Sequence, residues 1–130
     1  MYSDIPVYSH NPYQAEKFPL LVLNVEHKVC TPPNEGFLIP HWHEEVQFVY
    51  ILKGTVHIKV YHEEIILKKG DCIFLNRSVL HHIRGEADCR YHSYLIPPKM
   101  LSFFPGSAME EEVKSVINNP SFTHYVLPAA

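Results

Sequence analysis

Turn-forming residues recur at Gly54, His62–Glu63, Gly70, Arg77 and Glu86, with separations of 8, 8, 7 and 9 residues. Short strands punctuated at that interval build a sandwich or a barrel. The stretches between the turns, 45–53, 55–61, 64–67, 71–75, 80–84 and 90–96, carry the β-branched and aromatic residues that strands favour. Alternation is clearest in 55–61, where Val56, Ile58 and Val60 share one face and His57 and Lys59 the other. No helical periodicity interrupts residues 18–97, which excludes a parallel α/β architecture. The fold expected is all-β: a single antiparallel β-barrel, jelly-roll-like, with a short C-terminal helical segment.

Three zones follow. Residues 1–17, rich in Tyr, Pro and Asn, are expected to lie as an irregular arm across the barrel. Residues 18–97 form the barrel. Residues 98–130 form a helical extension packed on the barrel or on a dimer interface. Ser107 followed by Glu110 has the spacing of a capping box. Met109, Val113, Val116 and Ile117 then make one apolar stripe. Glu110, Glu111 and Glu112 suit the first turn, and Asn118-Asn119-Pro120 ends the helix.

At 130 residues the chain is one domain, long enough to bury a core without staples. Its 3 cysteines, an odd number without paired spacing, are expected as free thiols in a reducing, cytoplasmic setting. No apolar run is long enough to span a bilayer, and residues 1–10 lack the pattern of a secretory signal. A membrane partner is therefore not expected. The net charge of −3, with basic residues scattered, argues against nucleic-acid contact by these residues.

The stretch with chemistry runs from Gly36 to Gly54 and contains His41-Trp42-His43-Glu44-Glu45-Val46-Gln47. On a strand, residues two apart share a face, so His41 and His43 offer two imidazoles to one site. Gln47 shares their parity but would lie about 13 Å from His43 on a straight strand. The chain must bend around Glu44–Glu45 so that Gln47 opens the neighbouring strand. A second stretch, Gly70-Asp71 to Asn76-Arg77-Ser78 and on to His81, returns a histidine after a tight turn.

Together these stretches resemble the two signature motifs of the cupin superfamily. His41, His43 and His81 match the three family histidines, and Gln47 falls where the family carries a carboxylate. The Gly36–His41 spacing is one residue short. Asn76 and Ser78 replace a proline and a glycine, and Gly85 stands where a trailing asparagine would fall. The pattern His-x-His-x-x-x-Gln, then "LKG", "KKGD", "LH" and Phe104-Pro105-Gly106-Ser107, resembles the N-terminal effector-binding (arabinose-binding-like) domain of AraC-type transcriptional regulators. That resemblance implies a small-molecule effector, a homodimer, and DNA contact only through a helix-turn-helix domain that these residues do not contain.

Three readings of the histidines stand side by side. They hold a divalent transition metal (Zn, Ni, Cu, Fe or Mn) with the Gln47 carbonyl as a weak fourth ligand and Glu44 or Glu45 as a substitute. Alternatively, His41, His43, Gln47 and His81 line a metal-free pocket for a neutral ligand such as a sugar. In the third, they are structural. The preferred function is a ligand-sensing regulator domain, against a stand-alone metal-dependent enzyme, a dioxygenase or isomerase, and against an interaction module with a filled pocket. Trp42, of opposite parity, should pack outward or against the arm. Arg77 is expected as a solvated turn residue or a partner for an anion. Tyr8 and Tyr13 are candidate lid residues, and His57, His62, His82, His92 and His124 surface or rim residues.

Overall fold

A computed structural model describes residues 7–9, 11, 19–34, 39–102 and 104–130. Gly36 of the first motif, Tyr13 and the start of the barrel zone at Phe18 lie outside them. The six expected strands form close to their expected limits: β5 (Val46–Lys53), β6 (Thr55–Val60), β7 (Glu63–Lys68), β8 (Cys72–Leu75), β9 (His81–Gly85) and β10 (Arg90–Ile96). The turns between them fall at or next to the anticipated residues, with Gly54 at φ 76 and Gly70 at φ 91, and with Tyr61–His62 rather than His62–Glu63 before β7. Before these lie β1 (Val7–Tyr8), β2 (Leu21–Glu26), β3 (Val29–Thr31) and β4 (His41–Trp42).

The strands form a five-stranded sheet, β1-β4-β9-β6-β7, and a six-stranded sheet, β11-β8-β5-β10-β2-β3, where β11 is His124–Leu127. Pairing is antiparallel throughout except between β1 and β4. Inward residues of both sheets, among them Leu21, Val49, Ile51, Val56, Ile58, Ile73 and Leu75, make one core. Alternation thus decides the fold: the outward faces differ while the inward faces merge. The outer face of the five-stranded sheet carries His57, Lys59 and Arg84. A cross-strand row Tyr125–Phe74–Phe48–Tyr94–Val22 runs over the other.

The C-terminal extension differs in two ways from expectation. It contributes a strand, since β11 pairs with β8 from His124↔Leu75 to Leu127↔Cys72. Its helix, α1 (Ala108–Ile117), begins without the expected capping box. The Ser107 hydroxyl donates to Ser102 O (2.6 Å) instead, and Glu110 Oε2 accepts from the Gly106 N–H (2.5 Å). Of the apolar stripe, only Ile117 is buried; Met109 and Val116 are exposed. Phe122 stacks on Phe74 with ring centres 5.7 Å apart, laying the segment after α1 on the six-stranded sheet.

Gly85, the departure at the end of the second motif, has a packing reason. A Cβ there would collide with Cys89 Sγ. Gly85→Ala is expected to lower stability by about 2 kcal/mol through overpacking, and Cys89→Ala to recover most of that loss. Urea unfolding of the single and double variants checks this; equal losses with and without Cys89 would contradict it.

Candidate metal centre

β4 is two residues long and held on both sides. His41 pairs with His81 across the antiparallel β4–β9 ladder, and Val7 and Tyr8 pair with His41 and Trp42 in parallel. Trp42 turns outward onto Tyr8, ring centres 4.7 Å apart. Val7 and Tyr8 thus meet the barrel as a short strand, and Tyr8 lies on the outer side, on Trp42. After His43 the chain bends at Glu44 and Glu45, and Val46 starts the next strand. This is the bend that Gln47 requires, and it carries Gln47 from one sheet to the other.

The three imidazoles converge. Ring centres lie 4.5 Å apart for His41 and His81, 5.1 Å for His43 and His81, and 5.6 Å for His41 and His43. One ring nitrogen from each lies within 4.8 Å of the others. The exposures are 7%, 1% and 1% for His41, His43 and His81, and 2% for Gln47, so water does not solvate the group freely. The four side chains singled out from the motifs therefore share one buried site.

Hydrogen bonding fixes the tautomers. Nδ1 of His41 meets Ile39 O at 3.0 Å, Nδ1 of His43 meets Glu45 O at 3.0 Å, and Nδ1 of His81 meets Val79 O at 2.8 Å. A carbonyl oxygen only accepts, so each Nδ1 carries the proton and each neutral ring keeps a lone pair on Nε2. His81 Nε2 is buried with no hydrogen-bond partner among the described residues. His43 Nε2 faces Gln47 Oε1 at 2.9 Å, while Gln47 Nε2 donates to Ser93 Oγ at 3.1 Å. Two acceptors at that separation need a proton or a cation between them, or the Gln47 amide turned so that its NH2 donates to His43.

A proton is poorly held there. Burial depresses the pKa of His43, and the Glu45 charge and the Gln47 hydrogen bond only partly offset it. Burial takes His81 well below its ordinary value of 6.5, and the neighbouring His41 and His43 add repulsion. Above about pH 6.5 neither the folded nor the unfolded chain protonates these two rings, and nothing is lost. Below it, the unfolded chain binds protons that the folded chain refuses. Stability then falls by up to about 1.4 kcal/mol per pH unit for each ring. Chelator-treated protein should show a urea midpoint that drops between pH 7 and pH 5; a flat midpoint would contradict the burial argument.

Other side chains take less central places. Arg77 is a part-exposed turn residue, as expected, and its Nη2 pairs with Glu44 Oε2 at 2.6 Å rather than facing the histidines. His57 lies between Glu64 and Glu86, His124 beside Glu63, and His92 beside the Tyr94 hydroxyl, all outside the cluster. Glu45 is buried at 5% exposure; its backbone carbonyl orients His43, and its charge partly offsets the burial of that ring. The motif reading missed Ser93, which orients the Gln47 amide. Its signal was legible as a polar residue on the inward parity of β10, between Tyr91 and Leu95.

Among known proteins, the sequence pattern of the family described as Cupin domain matches residues 27–96. A curated relative, the uncharacterized HTH-type transcriptional regulator YdeC of Bacillus subtilis (strain 168), is 37% identical over 65 residues. That match covers 48% of this chain and 22% of the regulator, so the chain corresponds to a minor part of its length. A putative ethanolamine utilization protein EutQ of Salmonella typhimurium LT2 aligns in structure with TM-score 0.43 and 16% identity, covering 60% of this chain and 56% of that one. ToxT of Vibrio cholerae, solved with an unsaturated fatty acid bound, aligns with TM-score 0.48 and 7% identity, covering 85% and 40%.

Proposed function

Because the chain belongs to the cupin family, we propose that it is a ligand-sensing domain of an AraC-type transcription regulator, built around a divalent metal held by His41, His43, His81 and Gln47. The observation that carries the metal is the buried, unpartnered Nε2 of His81, in a cluster where one ring nitrogen of each histidine lies within 4.8 Å of the others and each Nδ1–H is committed to a backbone carbonyl. Turning the Gln47 amide end for end would satisfy His43 in a metal-free protein. It would leave His81 unsatisfied, an expensive condition for a buried polar atom. A cation serves all three rings at once, and imidazole donors suit Zn, Ni or Fe, with Mn less favoured. The ion would supply a fixed positive centre for an oxygen of a small effector.

The regulator reading is supported by the 37% identity to a helix-turn-helix regulator and by the motif pattern. The acidic balance of −3 agrees with a domain that leaves DNA to another part of a regulator. Cytoplasmic residence and pairing into a homodimer belong to the same proposal; among the described residues no helix is long and apolar enough to cross a membrane.

Purification without affinity metal, followed by elemental analysis and zinc titration by calorimetry, tests the centre. One equivalent per chain, removed by chelator and restored by zinc, is expected. A chain that takes up no Zn, Ni, Fe or Mn would remove the metal from the proposal. A thermal-shift screen of small effectors with and without metal then tests sensing.

A further inference from the structure

The two departures from the second motif, Asn76 and Ser78, sit between the histidine cluster and the C-terminal segment. On the cluster side, Ser78 N–H donates to His43 O at 2.8 Å, Arg77 pairs with Glu44 at 2.6 Å, and Val79 O receives the Nδ1–H of His81 at 2.8 Å. The turn of residues 76–79 therefore grips both a first-motif and a second-motif histidine. Ser78 does so at φ 60, a left-handed conformation that disfavours residues other than glycine.

On the other side, Asn76 ties the same turn to the end of α1. Its backbone N–H donates to Thr123 O at 2.9 Å, and its Nδ2 donates to Phe122 O (2.8 Å) and Val116 O (3.1 Å). Its Oδ1 accepts from the Arg77 N–H at 2.9 Å. The residue is 2% exposed, and its amide hydrogens and oxygen are all engaged. A proline in its place has neither a backbone N–H nor a side-chain amide. Apart from Ile117, α1 buries none of its residues, so little else fixes its position. A cleft of about 260 Å³ lies against the junction, lined in part by Arg77, Ser78, Val79, Ile117, Asn118 and Phe122.

We propose that the Asn76–Ser78 turn couples occupancy of the three-histidine site to the seating of residues 116–123, making that segment the output of the sensor. The inference rests on the metal reading given above. An ion held by both His43 and His81 would clamp both ends of one turn, whose third attachment is α1. The cleft leaves room for the segment to move. Linkage makes the coupling reciprocal: displacing the segment must weaken the ion by the same factor.

Amide hydrogen exchange on the whole chain, with zinc alone as the probe, tests the coupling. Zinc is expected to slow exchange in residues 116–123 by about tenfold. Arg77→Ala should keep stoichiometric zinc and lose most of that slowing. Phe122→Ala, at the far end of the path, should shift the imidazole NMR signals of His43 and His81 in metal-free protein. Zinc bound with unchanged exchange in 116–123 overturns the coupling and leaves the metal centre standing. Absence of zinc uptake sinks the metal centre, and unchanged imidazole signals in Phe122→Ala then sink the coupling as well.

Discussion

His81→Leu is expected to reduce zinc affinity at least about 100-fold, while the stability of metal-free protein changes by no more than about 1 kcal/mol. Removing outer-shell partners alone costs metal sites 10–100-fold, so loss of a ligand sets a higher floor. The stability side has the opposite logic. His81 places an unpartnered Nε2 in a fully buried position, and leucine of similar bulk removes that unsatisfied atom. The lost Nδ1 bond to Val79 O and the removed penalty largely cancel. Zinc at a thousandfold excess over the natural chain's Kd should stabilise that chain by about 4 kcal/mol, and the variant by about 1.4 kcal/mol at most. Thermal unfolding of both proteins, with zinc and with chelator, gives all four numbers. A large loss of metal-free stability in His81→Leu would show that the ring is structural.

Asn76→Ala should cost about 3 kcal/mol, and lower Tm by about 10 °C for a chain of this size. Three side-chain hydrogen bonds disappear, and the carbonyls of Val116 and Phe122 and the N–H of Arg77 lose their partner. Solvent-exposed polar substitutions elsewhere cost a few tenths of that. Asn76→Asp keeps only the acceptor function toward Arg77, so it should rescue part of the loss at most. An Asn76→Ala variant that melts with the natural chain would mean that the β11–β8 ladder and the apolar contacts hold the C-terminal segment without the Asn76 amide.

Much of this arrangement is legible in residue spacing. Strands β5 to β10 follow from turn residues and alternation, because one inward face must merge with another. The bend at Glu44–Glu45 follows from arithmetic, since no straight strand brings Gln47 to His43. Less legible were contacts that close in space rather than along the chain. β4 is only two residues long and exists because β1 and β9 flank it. β11 shows alternation in Tyr125-Val126-Leu127, but the preceding helix pattern drew the whole extension toward a helical reading. The capping box failed because Ser102 O lies within reach of the Ser107 hydroxyl, a competitor five residues away. Asn76 and Arg77 read as turn residues, and their partners Val116, Phe122 and Glu44 lie 40, 46 and 33 positions distant.

The carbonyls that clasp the three Nδ1 atoms have one more consequence. Folding itself immobilises the rings, so an arriving ion would meet rotamers already frozen, with little reorganisation left to perform. Selection among ions then falls to fixed donor geometry, and the speed of capture to how often the surrounding shell breathes open. Such a centre should fill slowly and release slowly, retaining its guest through transient shortages.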